Sequence, residues 1–75
     1  MASYTKRIRD LREDMDLKQE HIAKALHTTQ GYYSKYELRK RALPIEHLIT
    51  LCKIYNVSAD YILGFTDEKK PLPKK

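Results

Sequence analysis

Residues 19–37 read QEHIAKALHTTQGYYSKYE, and this stretch decides the fold. It holds two short amphipathic segments with only a few residues between them. In the first segment Ile22 and Leu26 lie four residues apart, the spacing that places side chains on one face of a helix. The small residue Ala23 lies in the middle of that face. A small side chain there lets a second helix cross closely, so the stretch predicts two helices packed at a steep angle.

The second segment begins after Thr29, whose hydroxyl can accept a hydrogen bond from the free amides at the start of a helix. Tyr33 and Tyr36 lie three residues apart on its apolar face. The exposed face carries donors, acceptors and one cation: Gln30, Gly31, Tyr32, Ser34 and Lys35. This mix suits the reading of base edges better than the covering of a core. Two helices in this order predict a helix-turn-helix, whose second helix enters the major groove of DNA.

The composition is that of one small, soluble, globular domain. Of the 75 residues, 41% are hydrophobic and 33% are charged, and the two glycines and three prolines are too few for an all-β fold. No apolar run approaches the roughly 20 residues that span a bilayer, and the N-terminus lacks an apolar signal core. The single cysteine, Cys52, excludes an internal disulfide. We therefore expect a cytoplasmic protein without a membrane partner.

The positive charge is concentrated on one part of the chain. Residues 1–41 carry ten Lys and Arg against six Asp and Glu, a net charge of +4. Residues 42–68 carry a net charge of −3, and residues 69–75 add four lysines. The basic part contains the two packed helices, and a one-sided basic surface indicates a polyanion partner.

Helical periodicity over residues 4–64 predicts an all-α fold of five short helices. We expect helices at Thr5–Asp14, Gln19–Leu26 and Gln30–Leu38, a fourth that starts near Pro44, and a fifth that is capped by Ser58 and closed by Gly64. The expected apolar positions of the fourth helix are Ile45, Leu48, Leu51, Cys52 and Tyr55. Asn56 is a candidate to end it in a left-handed conformation. The domain is predicted to span residues 1–66, followed by a disordered basic tail at 67–75.

The pattern resembles the Cro/repressor-type helix-turn-helix family, also called XRE-type. The resemblance covers residues 4–64 without a gap. It rests on IRDLR (8–12), LKQEHIAKAL (17–26), TTQGYYSKYE (28–37), RKR (39–41) and LITLCKIYNVSADYILG (48–64). The family implies a compact five-helix, lambda-repressor-like domain that binds the major groove with its third helix. It also implies transcriptional regulation, usually by a dimer on a two-fold-symmetric operator.

The resemblance, read together with the chemistry of each side chain, assigns roles along the interface. The candidate base-reading residues are Thr29, Gln30, Gly31 and Lys35. The candidate contacts to the DNA backbone are Gln19, Tyr32, Ser34, Lys40 and Arg41. Gln19 is also expected to brace the first residue of the third helix, and the phenol of Tyr32 to donate a hydrogen bond to a phosphate. Arg12 and Glu37 match an ion pair between the first helix and the end of the third.

Three positions depart from the family pattern. His27 stands in the inter-helix turn where glycine is usual, and it bears strain if the turn needs a positive φ. Lys18 replaces the usual Thr or Ser cap of the second helix, a loss of about 1 kcal/mol. After Glu37 the family usually has Asn-Gly, whereas Leu38 and Arg39 follow here, so the third helix is expected to run longer or end differently.

Two alternatives stay open on the third helix. Gly31 is either merely tolerated there or needed for a close approach to the bases, since glycine in a helix costs about 1 kcal/mol relative to alanine. Lys35 shares a face with Gly31 and fits either a base contact or a phosphate contact. For the dimer, the candidate contact residues are Tyr61, Phe65 and Leu72. The alternative is that Phe65 folds back onto the core and the protein is a monomer in solution that dimerises only on DNA.

No residue set indicates catalysis. The spacing of His21, His27 and His47 matches no zinc motif, and Cys52 fits a core position. We therefore expect no metal, no cofactor and no enzymatic activity. The prediction from sequence is a sequence-specific regulator of transcription, a repressor whose partner is double-stranded DNA, acting as a homodimer at least on DNA. The alternative is a protein-interaction module, such as an antitoxin-like partner of another protein, with secondary DNA binding.

Overall fold

The computed structural model describes residues 3–72, and this part of the chain is all-helical. The helices are α1 (Tyr4–Asp14), α2 (Gln19–Ala25), α3 (Gln30–Glu37), α4 (Ile45–Tyr55) and α5 (Ala59–Leu63). The predicted five-helix fold is confirmed, and the observed ends of the first three helices lie within one residue of those expected. None of the helices in the described residues has the length and apolar character needed to cross a membrane.

Side-chain caps begin most of the helices. The hydroxyl of Thr29 accepts a hydrogen bond from the amide of Tyr32 at 3.1 Å. Ser58 caps α5 in the same way, accepting from the amide of Tyr61 at 3.1 Å. Helix α2 has no such cap, but the amide of Lys18 donates to Nδ1 of His21 at 3.0 Å. One of the free backbone amides at the start of α2 therefore has a hydrogen-bond acceptor on the helix itself. This contact was not predicted from the sequence.

Left-handed residues follow every helix. Asn56 and Gly64 adopt φ of 53° and 84°, as expected for the ends of α4 and α5. His27 has φ 58° and Arg39 has φ 63°, so each takes the conformation that favours the glycine usual at its place. Asp16, after α1, has φ 55°. Because Arg39 turns the chain, α3 ends at Glu37 rather than running longer.

The core lies where α3 packs against α1 and α2, and where α5 packs against α1 and α4. The buried apolar side chains are Ile8, Leu11, Ile22, Ala23, Leu26, Tyr33, Tyr36, Leu48, Leu51, Cys52, Tyr55, Val57 and Ile62. Ile45 was expected among them, but it is 61% exposed. It is the first residue of α4 and lies at the rim of a groove that Leu43, Leu48 and Leu63 also line, so it flanks the core rather than entering it.

The chain after α5 lies against the domain without forming a helix or strand up to residue 72. Asp67 accepts a hydrogen bond from the guanidinium of Arg7, and the amide of Leu72 donates to the side chain of Asn56 at 3.0 Å. Residues 73–75 of the predicted disordered tail lie outside the described residues. Disorder of residues 67–75 stays a prediction.

Candidate nucleic-acid interface

Helix α3 has one face in the core and one face in solvent. Tyr33 and Tyr36 are 0% and 3% exposed, respectively, and they anchor the helix against the rest of the domain. The four candidate base-reading residues are all exposed: Thr29, Gln30, Gly31 and Lys35. The two faces are those that the spacing of the sequence predicts, and the polar face is accessible to a macromolecule.

Space around the start of this exposed face is open. A methyl group added at Gly31 would meet no described atom within 4 Å apart from the neighbouring backbone of its own helix. Glycine is therefore not required at this position by packing within the protein. The hydroxyl of Thr29 accepts the capping hydrogen bond but can still donate its own proton.

The substitution Gly31→Ala tests whether glycine is merely tolerated at this position or is needed for a close approach of α3 to the bases. The free protein should gain about 1 kcal/mol in unfolding free energy because alanine is the better helix former. If α3 approaches bases closely at this point, the added methyl should weaken DNA binding by about 1–3 kcal/mol. Urea unfolding and DNA titration on the same variant measure both effects. Higher stability with unchanged DNA affinity would show that the glycine is merely tolerated in the helix.

Glu37, at the end of α3, is the acceptor for four hydrogen bonds. Arg12 donates from Nε at 2.8 Å and from Nη2 at 3.0 Å, Gln19 donates from its amide at 3.0 Å, and the Tyr33 hydroxyl donates at 2.7 Å. The Glu37 side chain is 3% exposed. Arg12 also donates to the carbonyl of Leu17 at 3.0 Å. One carboxylate therefore holds α1, α2 and α3 together.

Gln19 has a different partner from the one expected. It was predicted to brace Gln30 at the start of α3, but its side-chain amide donates to Glu37 at the other end of that helix. A buried carboxylate is a stronger acceptor than a neutral amide, which explains the preference. Gln19 is half-buried at the first turn of α2, so it links the two helices of the motif from behind the exposed face.

The pKa of Glu37 is set by two opposing effects. Burial alone raises it, but hydrogen bonds from Arg12, Tyr33 and Gln19 outweigh that effect and bring the pKa below its ordinary value. The pKa of Tyr33 is raised, first by burial and then by its hydrogen bond to Glu37. Both shifts favour one state in the folded protein, an ionised carboxylate beside a neutral phenol.

Acid should therefore destabilise the fold through Glu37. Its folded pKa is lower than its unfolded pKa of about 4.3, so its contribution is complete above that pH and is lost as pH falls through the folded pKa. Urea unfolding from pH 7 to pH 3 should show a smaller decline for Glu37→Gln than for the parent. Asp10→Asn, at an exposed ion pair with Lys6, is the control and should keep the parent's decline. Equal declines in parent and Glu37→Gln would contradict this prediction.

The candidate backbone-contacting residues surround the exposed face of α3. Ser34 is half-buried and donates from its hydroxyl to the carbonyl of Gly31 at 2.9 Å. Lys40 is exposed, and its amide donates to the carbonyl of Lys35 at 2.8 Å, which closes the end of the helix. The side chain of Lys40 is thus held close to α3 by its backbone while its cation stays in solvent.

Tyr32 has cationic neighbours that the sequence analysis did not identify. The guanidinium carbon of Arg41 lies 4.9 Å from the centre of its ring, and Nζ of Lys35 lies 5.6 Å away. The i, i+3 spacing of Tyr32 and Lys35 could have indicated one contact. Arg41 comes from the connection after α3, and no helical period relates it to Tyr32.

The fold and this surface define a class of protein, a small all-α domain whose α2 and α3 form a helix-turn-helix with an exposed polar face. The family model for helix-turn-helix domains (HTH_3) matches residues 8–62. The chain therefore belongs to the Cro/repressor-type (XRE-type) helix-turn-helix family, a family of DNA-binding domains and not of enzymes.

A relative from Bacillus subtilis (strain 168), YobD, carries the description HTH-type transcriptional regulator. It is 37% identical to this chain over 68 residues, which is 91% of this chain and 61% of YobD. The chain thus spans less than two thirds of the length of this relative. No solved structure matches the chain significantly.

Proposed function

We propose that this protein is a sequence-specific regulator of transcription that binds double-stranded DNA, acting as a repressor in the cytoplasm. The observation that carries the proposal is the polar face of α3, which is exposed while the same helix is fixed from behind by the buried carboxylate of Glu37. A rigid helix with an exposed polar face fits the major groove, which admits an α-helix.

In this proposal α3 reads the bases. Gln30 can donate and accept in one plane, which matches N6 and N7 of adenine in the major groove. Thr29 and Lys35 supply a hydroxyl and a cation on the same exposed surface, and Gly31 leaves room for the helix to approach. The proposed contacts to phosphates and sugars come from Gln19, Tyr32, Ser34, Lys40 and Arg41.

We propose further that two copies bind one operator. A single small module buries too little surface for tight, selective binding, and two-fold symmetry would place the second α3 in the next major groove. Phe65, after α5, is 69% exposed rather than folded back onto the core. Tyr61 is half-buried with the guanidinium of Arg7 4.1 Å above its ring, and Leu72 is half-buried against the core. Phe65 is thus the most accessible of the three candidates for a dimer contact.

Footprinting should then show two protected half-sites of inverted sequence, about 34–36 Å apart. Phe65→Ser should reduce cooperative filling of the two half-sites while leaving binding to an isolated half-site unchanged. One asymmetric site saturated by one protein chain would refute the dimer and leave DNA binding intact.

Selection of bound sites from random duplex DNA tests the central proposal. A single enriched motif is the expected result, with affinity that falls steeply as salt rises because phosphate contacts release counterions. Recovery of random sequences only, with no enriched motif, would contradict sequence-specific binding.

A second candidate function is the binding of another protein. Exposed apolar side chains favour it: Ile45 and Ile49 are 61% and 49% exposed and lie one turn apart on α4. Ile45→Ser with Ile49→Ser should abolish binding to such a partner and leave DNA affinity unchanged. DNA affinity measured against salt concentration, on operator and on random DNA, separates the two candidates. A protein-binding module would bind both DNAs weakly and without base preference.

A further inference from the structure

The ring of Tyr32 brings together two parts of the proposed DNA surface. Lys35 lies on α3 and Arg41 lies on the connection that follows it, yet both cations are within 6 Å of the same ring centre, at 5.6 Å and 4.9 Å. Cations at such distances from a tyrosine ring are attracted by the negative charge of its face. Both residues are otherwise exposed, and no salt bridge of either is present among residues 3–72.

The ring is itself held from the core side. Tyr36, which is 3% exposed, packs edge-on to Tyr32 with ring centres 5.8 Å apart and planes at 72°. Tyr36 in turn contacts Tyr33 and, on α4, His47, with centres 6.1 Å and 5.8 Å apart. Tyr32 is 38% exposed, so one part of the ring is anchored while another part stays available to the cations.

Free lysine and arginine side chains lose much rotamer freedom when they bind a phosphate. A cation that already rests on a ring loses less of that freedom on binding, which raises affinity without adding a contact. A guanidinium attracted to a ring face also keeps its N–H donors for phosphate oxygens. The arrangement therefore suits cations that must be in place before DNA arrives.

We propose that Tyr32 is a positioning residue whose ring orders Arg41 and Lys35 for DNA. This inference rests on the proposed function and replaces one part of it. The contribution of Tyr32 comes from its ring face and not from a hydrogen bond of its phenol to a phosphate. Arg41 then binds the DNA backbone, and Lys35 is held beside Tyr32 on the exposed side of α3.

Two substitutions of Tyr32 separate the ring from the hydroxyl. Tyr32→Phe keeps the ring and should bind the selected operator within about twofold of the parent. Tyr32→Leu removes the ring and should bind about fivefold more weakly, the factor that a cation–ring contact at an exposed site supplies. A loss in Tyr32→Phe equal to that in Tyr32→Leu would overturn the inference in favour of a hydroxyl contact.

A double-mutant cycle tests whether the ring acts through Arg41. In an Arg41→Gln background, Tyr32→Leu should weaken binding by less than about twofold because the nearer of the two cations that the ring orders is gone. The slope of affinity against salt should flatten in Arg41→Gln, which loses a phosphate contact, and should stay as in the parent in Tyr32→Leu, which loses only the ordering of that contact. If Tyr32 only supports the fold, its substitution will lower the melting temperature and the two losses in affinity will add, which overturns the inference.

The contact can also be measured without DNA. The δ protons of Arg41 should show upfield NMR shifts from the ring in the parent and in Tyr32→Phe, and ordinary shifts in Tyr32→Leu. Ordinary shifts in the parent would overturn the inference even if the parent binds its operator tightly. Failure of the parent to bind any duplex would overturn the proposed function, and the inference with it, even if the upfield shifts are present.

Discussion

Glu37→Ala should lower the unfolding free energy by about 3–5 kcal/mol. Removal of the carboxylate leaves the guanidinium of Arg12 without its ionic partner at a site where that side chain is only 12% exposed. The hydroxyl of Tyr33 and the amide of Gln19 lose their acceptor in the same substitution. A domain of this size has a total stability of about 5–15 kcal/mol, so the loss is a large fraction of that total. The variant should be partly unfolded in buffer if the stability of the parent lies near the lower end of this range.

Urea unfolding followed by circular dichroism at pH 7 measures this loss. The matched control is Asp10→Ala, which breaks the pair with Lys6, whose two side chains are 41% and 59% exposed. That exposed pair should contribute less than about 1 kcal/mol. If Glu37→Ala unfolds completely in buffer, Glu37→Gln provides a measurable intermediate, since an amide still accepts one of the hydrogen bonds. Overlapping unfolding curves for Glu37→Ala and the parent would show that the buried network does not stabilise the fold.

Gln30→Ala should reduce the preference for the correct operator over altered bases by about 1–3 kcal/mol, while binding to random DNA changes little. Gln30 is exposed, so its substitution should not disturb the core. Lys40→Ala should behave in the opposite way, with weaker binding to all sequences and a salt slope flatter by about one unit. Competition titrations against the operator, against single-base variants and against random duplex DNA separate the two effects.

Lys53→Ala is the matched control for Lys40→Ala. Lys53 is an exposed lysine on α4, in the half of the sequence with net negative charge. Its substitution should change neither the affinity nor the salt slope. If Gln30→Ala loses as much affinity for random DNA as for the operator, Gln30 is not a base-reading residue. If Lys53→Ala flattens the salt slope as much as Lys40→Ala does, Lys40 is not a specific phosphate contact.

The fold could be predicted from sequence because its signals are local. The spacing of apolar residues indicates which faces of α1, α2 and α3 are buried. The hydroxyls of Thr29 and Ser58 mark where two helices begin. Both caps and the left-handed Asn56 are observed as expected. Ile45 was wrongly expected in the core. The helical spacing of apolar residues shows which residues lie on one face, but it does not show whether neighbouring helices extend far enough to cover that face.

The proposed interface depends on contacts between residues far apart in the chain, which periodicity does not reveal. The partner of Gln19 is Glu37, 18 residues later, and the cation nearest the ring of Tyr32 is Arg41, in an irregular connection. The hydrogen bond from the backbone amide of Lys18 to the side chain of His21 was missed because histidine is not the usual acceptor at that position. The base-reading and backbone roles stay predictions, since they require DNA to be tested.

The left-handed residues after the helices bear on how the domain folds. Four of them, Asp16, His27, Arg39 and Asn56, are not glycine, and the left-handed conformation has a steric cost for any residue with a Cβ atom. That cost is largest here for Arg39, because Asp, His and Asn tolerate the conformation better. The helices are also short, with 11 residues at most, below the roughly 12–15 residues that a helix needs in water. Neither helices nor turns are locally stable, and each forms only when the others are packed against it. The folding transition should therefore be cooperative, and the surface of α3 exists only as a property of the complete domain.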